Sequence, residues 1–230
     1  MQWPSASVIL IYANTGREME RYFTFLLGGV WVSVQAATGA LIFATLLGLV
    51  LALMLLSRNG FLFYIARGWV ELIRGTPALA QLFILYFGLA DFGLRMHPLV
   101  AAIVGLGING SAYLAEIFRS GIQAVDHGQT EAGRSLGLSP FWITYDVVLP
   151  QAGRIMVPPF VNYGVQLLKD TSLISSIAAP EIMFRARNLV METYDSMTIY
   201  LLVAALYLSI SIPLSQLASY LQTRSMGASQ

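Results

Sequence analysis

The chain has 230 residues, 57% of them hydrophobic and 11% charged, with a formal net charge of +1 and a mean hydropathy of +0.68. Soluble domains carry roughly a quarter charged residues, so these side chains cannot supply a water-facing surface and lipid must cover much of the molecule. A single lysine, Lys169, and two histidines leave no basic patch for nucleic acid, and zero cysteines exclude disulfides, thiolate metal sites and cysteine nucleophiles.

Residues 1–27 lack the basic stretch of a signal peptide, and the short apolar run Val8 to Ala13 is followed by Arg17, Glu18, Glu20 and Arg21. They are expected to form a polar-to-interfacial segment. No charge lies between Tyr22 and Ser57, which predicts a first spanning helix near Val30 to Leu56, since a span needs about 20 mostly apolar residues. Phe61 to Ile73 is apolar but carries Arg67 and Glu71, and Arg74-Gly75-Thr76-Pro77 then breaks it. The pattern fits one kinked span, or an interfacial helix followed by a span. Proline suits a first helical turn, so the second crossing is placed from near Pro77 to near Ala90.

His97-Pro98 opens a third span, Pro98 to Phe118. Ser120 to Pro150 mixes polar and apolar residues evenly and reads as an aqueous-side loop with short helices. A fourth span runs from Arg154 to Leu168 with Pro158-Pro159 near its start. Lys169 to Asp195 reads as another aqueous segment, and Ser196 to Thr223 as the last span, with Pro213 as its only breaker. About five crossings put the termini on opposite sides. The positive-inside rule, by a bias of one charge, places the N-terminus outside and the C-terminus in the cytoplasm. No internal repeat or second hydrophilic domain is evident, so 28–224 forms one membrane domain and 225–230 a tail.

Gly105, Gly107 and Gly110 have dinucleotide-fold spacing but lie inside an apolar span, where small residues serve close helix packing. A phosphate-binding ATPase loop requires Gly before lysine and Ser or Thr after it, whereas Lys169 lies between Leu168 and Asp170. His97 and His127 are too far apart for a zinc-protease motif. Asn109, Tyr113, Glu116 and Ser120 recur on one helix face, which cannot prefer lipid. A carboxylate near a span is costly unless it faces water or a partner, so Glu116 marks a pathway or pairs with Arg119 one turn away. Asn162 and Gln166 form a second polar stripe. Lys169 and Asp170 are adjacent and point different ways on a helix, as substrate contacts, gate residues or interfacial anchors. Glu131 to Leu136 can form a short helix that Gly137 ends.

Glu131-Ala132-Gly133, three residues, Gly137, nine residues and Val147-Val148-Leu149-Pro150 resemble the EAA loop of ABC importer permeases. The departures are Gly133 for alanine and Val147 for isoleucine, with the spacing intact. Val70-Glu71-Leu72-Ile73-Arg74-Gly75-Thr76-Pro77, the run from Asn109 to Ile122, and Lys169-Asp170-Thr171-Ser172-Leu173 resemble signatures of its polar amino-acid (histidine, glutamine and opine) branch.

That resemblance implies an all-α integral membrane protein, a type I ABC importer transmembrane domain with a cytoplasmic coupling helix in loop 128–150. It implies ATPase-coupling roles for Glu131, Ala132, Gly133, Leu136, Gly137, Leu149 and Pro150. It suggests a substrate pathway or gate at Asn109, Tyr113, Glu116, Asn162, Gln166, Lys169, Asp170, Thr171 and Ser172. The implied partners are ABC ATPase subunits that bind ATP and Mg, a second permease subunit, identical or paralogous, and an external solute-binding protein. This chain would bind no cofactor and sit in the bacterial inner membrane. An ion-gradient-driven transporter or channel is the rival class, because it too needs polar residues within the membrane.

Overall fold

A computed structural model describes the backbone of residues 6–227 and is helical throughout, joined by short turns. Residues 1–5 of the expected N-terminal segment and 228–230 of the tail lie outside the described residues. Helix α1, Ala6–Leu55, is continuous, so the expected interfacial segment and first span share one helix. No proline interrupts residues 6–55, and the charges at Glu18, Glu20 and Arg21 favour water without opposing helix formation. At 50 residues, α1 is about 75 Å long, well beyond the hydrocarbon core.

Helix α2, Gly60–Arg74, starts at Asn59, whose side chain accepts a hydrogen bond from the Phe61 amide, and it buries Ala66, Val70 and Ile73. At Gly75-Thr76-Pro77 the chain bends by 102° into α3, Ala78–Asp91, which contains one π-wound stretch, Ile84–Gly88. Pro77 lacks an amide and cannot continue α2, while its fixed φ opens the next helix. Alone, α3 is shorter than the roughly 20 residues a crossing requires. The corner therefore places α2 across the direction of α3.

Helix α4, Pro98–Gln123, starts at His97, whose ring nitrogen accepts from the Leu99 amide, and it packs along α1. The glycines noted in the sequence are packing devices. A Cβ on Gly107 would lie 2.6 Å from the Phe43 ring, and one on Gly110 2.6 Å from the Tyr163 hydroxyl. Small residues thus let α1 and α6 reach the α4 backbone.

Helix α5, His127–Ser135, is followed by Pro140–Trp142 and a π-wound stretch, Ile143–Val148, which passes into α6, Leu149–Asp170. Pro158 and Pro159 lie inside α6. A 3-10 turn, Thr171–Ile177, leads to α7, Ile182–Thr193, and α8, Ser196–Gly227, ends the described chain.

By length and composition, Glu18–Leu55, Pro98–Gln123 and Ser196–Thr223 can each cross a membrane, and the bent pair counts as one more if taken together. Helix α6, expected as a crossing, is less apolar because Arg154, Asn162, Gln166, Lys169 and Asp170 lie along it.

Three apolar clusters join the helices. One gathers Ala36, Ala40, Leu82, Leu106, Leu167, Ile174 and Ile177. Another joins Tyr22 and Leu26 of α1 to α7 and α8, and the third joins the end of α1 to α2 and α4. Segment 169–195, expected to lie in water, instead folds back into the bundle, with Thr171, Ile174, Ile177, Glu181, Ile182, Ala186 and Leu189 buried. Ile174 and Ile177 are eclipsed on the 3-10 turn, which gives this short segment a single apolar edge to bury.

Candidate functional site

The loop between α4 and α6 presents a compact knob. Asp126 caps α5 by accepting from the Gly128 amide, and a Schellman turn ends the helix, with Gly137 N–H on Arg134 O (2.9 Å) and Leu138 N–H on Gly133 O (3.1 Å). Gly137 takes φ +76, a left-handed value that glycine adopts without a Cβ penalty. Gly133 is buried against Ile143, where an added Cβ would lie 2.9 Å from Ile143 Cγ1. The departure from alanine thus coincides with an inward-facing position. Glu131, Ala132, Leu149 and Pro150 are exposed, and Leu136 is 80% exposed. Phe141 stacks on Tyr145 at 6.0 Å beside an exposed Trp142, so acidic and apolar side chains share this surface.

Beside that loop, α2 and α4 enclose a cleft of about 530 Å³ lined by Arg67, Glu71, Arg74, Tyr113, Glu116 and Arg119. Glu116 Oε2 accepts from Arg119 Nε (2.9 Å) and Nη2 (2.6 Å), while Arg119 Nη1 donates to Gln123 Oε1 (2.6 Å). Glu116 thus pairs with Arg119 and also lines the polar cleft. Tyr113 stacks on Tyr163 of α6, with centroids 5.8 Å apart.

Asn109 of the same stripe is buried and turns from that cleft. Its Nδ2 donates to Gln81 Oε1 (3.1 Å), while Gln81 Nε2 donates to Ile73 O (2.7 Å) and Thr76 Oγ1 (2.7 Å). Gln81 thereby ties the α2–α3 corner to α4.

At the end of α6 the adjacent charges separate. Asp170 Oδ1 accepts from Gln166 Nε2 (2.9 Å) on the face that carries Tyr163. Lys169 instead faces α8 in a groove of about 490 Å³ with Tyr207, Ser211, Ser215 and Ser219, one hydroxyl per turn. Ser211 Oγ is buried there without a hydrogen-bond partner among the described residues. Asn162 is exposed, Ser172 is half-buried, and Thr171 is fully buried with its hydroxyl on Leu168 O (2.7 Å). Thr171 closes the turn that presents Lys169 and Asp170. Among the described residues no group of His, Asp and Glu is placed to bind a metal ion.

Residues 44–226 match the family described as the binding-protein-dependent transport system inner membrane component. The chain belongs to that family. The permease is 36% identical over 188 residues to a probable amino-acid ABC transporter permease protein, YckA of Bacillus subtilis, covering 82% of this chain and 83% of that one. It is 35% identical over 202 residues to the probable glutamine ABC transporter permease protein GlnM of the same organism, covering 88% and 94%. Among solved structures it is similar to an amino acid ABC transporter crystallised with histidines, at TM-score 0.85 and 35% identity, covering 90% of this chain and 97% of that one. The permease therefore has the all-α fold of type I ABC importer transmembrane subunits, and it is a transport subunit.

The structure also brings forward residues that sequence reasoning passed over. Glu181 of the permease is fully buried as the cap of α7, accepting from the Phe184 amide (2.7 Å) and the Tyr207 hydroxyl (2.9 Å), with Ser33 beside it. The backbone of α1 comes so close that a Cβ on Gly29 would lie 2.5 Å from Ile182 N. The available signal was a helix-start pattern, an acidic cap before the apolar Ile182-Met183. The charges along 169–195 mask that signal, because they read as water-facing. Gln81 gave no comparable signal, because its partners lie outside α3, whereas Arg74 stood out only as part of the Val70 to Pro77 run.

Proposed function

We propose that this permease carries a polar amino acid, or a derivative such as an opine, across the bacterial inner membrane under the drive of a separate ABC ATPase. Two permease subunits, identical or paralogous, flank the pathway, and an external solute-binding protein delivers the substrate. ATP and Mg belong to the ATPase. The permease unit spans 28–224, the N-terminus lies outside, and loop 128–150 and the C-terminus face the cytoplasm.

The observation that carries this reading is the knob of Glu131, Ala132, Leu136 and the Phe141–Tyr145 aromatics, closed by the Schellman turn at Gly137. A rigid short helix that exposes apolar side chains beside acidic ones suits a groove on another protein better than it suits lipid or water. ATP binding would draw the two ATPases together, shift these knobs and rock the helix bundles between outward and inward openings. Asn109, Tyr113, Glu116, Asn162, Gln166, Lys169, Asp170, Thr171 and Ser172 constitute the pathway or its gate, some by lining it and others, such as Asn109 and Thr171, by fixing the backbone beside it. Lys169 and Asp170 point toward different helices, so either one contacts the zwitterion or locks the gate.

The test is reconstitution with the co-purifying ATPase and binding protein in proteoliposomes, followed by uptake of labelled amino acids. Uptake should require ATP and survive a protonophore, and Glu131→Lys or Gly137→Pro should abolish it while insertion persists. Uptake that continues without ATP and collapses with an ionophore would establish the ion-gradient class instead.

A further inference from the structure

The cleft between α2 and α4 contains one cation more than its own carboxylates neutralise. Arg67 pairs with Glu71, and Arg119 pairs with Glu116. Arg74 has no ion pair among the described residues, yet it lines the same cleft, its guanidinium 5.5 Å from the Tyr113 ring centroid. A guanidinium held against an aromatic ring keeps N–H groups free for a planar two-oxygen acceptor, and it has less freedom left to lose on binding one. The chemistry that complements it is a carboxylate.

The position of Arg74 connects two charged places. Tyr113 stacks on Tyr163, with ring planes inclined by 20°, and Tyr163 shares an α6 face with Gln166 and Asp170. One row of side chains thus runs from the Asp170 carboxylate, across two tyrosine rings, to the Arg74 guanidinium. Glu116 and Arg119 of this cleft lie in the last two turns of α4, next to the knob-bearing loop. The row therefore ends near the part of the protein that the proposed function assigns to the cytoplasmic side.

We infer that Arg74, steadied by Tyr113, is a carboxylate-binding station at the coupling-loop end of the pathway, occupied by the α-carboxylate of the amino acid as it leaves. This inference rests on the amino-acid importer reading above. The pairs Arg67–Glu71 and Arg119–Glu116 flank the station and already give each of the other two guanidinium groups a carboxylate. A departing carboxylate accordingly meets one guanidinium in this cleft that has no ion pair among the described residues.

The experiment uses the permease purified with its ATPase in detergent, labelled with phenylglyoxal and read arginine by arginine by peptide mass spectrometry. Natural amino acids pooled at about ten times their Kd should slow labelling of Arg74 about tenfold, because only the unoccupied fraction reacts. The same pool as methyl esters should leave the rate unchanged, and Arg119 serves as the internal reference. Tyr113→Phe should retain the protection and Tyr113→Ala should lose most of it. Equal protection by acids and esters would overturn the carboxylate assignment. So would the absence of protection, or protection by inorganic phosphate or phosphatidylglycerol micelles alone, the latter marking an anionic headgroup site. ATP-driven uptake by the wild-type assembly is measured in parallel. Uptake without protection refutes the station only, whereas the absence of ATP-driven uptake refutes the functional reading as well.

Discussion

Replacing Gln81 with alanine tests whether the corner between α2 and α3 is set by one side chain. Gln81 Nε2 reaches Ile73 O, Thr76 O and Thr76 Oγ1 at 2.7, 3.2 and 2.7 Å, and its Oε1 accepts from buried Asn109 at 3.1 Å. Hydrogen bonds between membrane helices contribute about 0.6 kcal/mol each on average and up to about 1.7. An amide left unpaired in the interior costs about 1–3 kcal/mol. Gln81→Ala should therefore destabilise the permease by about 2–4 kcal/mol, lowering the apparent melting midpoint by on the order of 10 °C. The assay is thermal denaturation of the detergent-purified assembly, followed by size-exclusion chromatography, for wild type, Gln81→Ala, Asn109→Ala and the double variant. Since each single change breaks the same contact, the two effects should fall short of additivity by about 1 kcal/mol. A melting midpoint unchanged in Gln81→Ala, or full additivity in the cycle, would refute the claim that this side chain ties the corner to α4.

Further outcomes follow from close packing and buried polarity. Gly29→Ala should sharply reduce the folded yield, because its Cβ would meet the backbone of Glu181 and Ile182 at 2.5–2.6 Å. Gly68→Ala, in α2 with nothing within 4 Å of the added carbon, should instead raise stability by about 0.5–1 kcal/mol. Tyr207→Phe should cost about 1–3 kcal/mol by removing a hydroxyl donor from the buried Glu181 carboxylate, whereas Glu181→Gln, which still offers an oxygen to the Phe184 amide, should fold in higher yield than Glu181→Leu. Comparable yields for the Gln and Leu variants would count against the capping role.

Much of the architecture was legible locally. The charge-free runs marked α1, α4 and α8, Pro77 and Pro98 marked helix starts, and Gly137 marked the end of the knob helix, because hydropathy and turn chemistry act over a few neighbouring residues. The segment from Lys169 to Asp195 defeated the same reasoning. Its charges suggested water, yet Arg185 reaches back to Phe25 O of α1 and Glu181 is enclosed by α1, α7 and α8. Polarity along a chain does not reveal whether a polar group meets solvent or a distant partner.

The amino-acid sequence alone established a lipid-covered helical protein with a polar knob and no nucleotide-binding loop, since composition, helix period and glycine placement carry that information residue by residue. Only the tertiary structure decided that Lys169 and Asp170 part toward different helices, that Asn109 serves the α2–α3 corner, and that Arg74 stands over Tyr113 with no ion pair among the described residues. The reason is distance along the chain. Asn109 and Gln81 are 28 residues apart, and Glu181 and Tyr207 are 26 apart. Which donor meets which acceptor over such separations depends on how the helices pack.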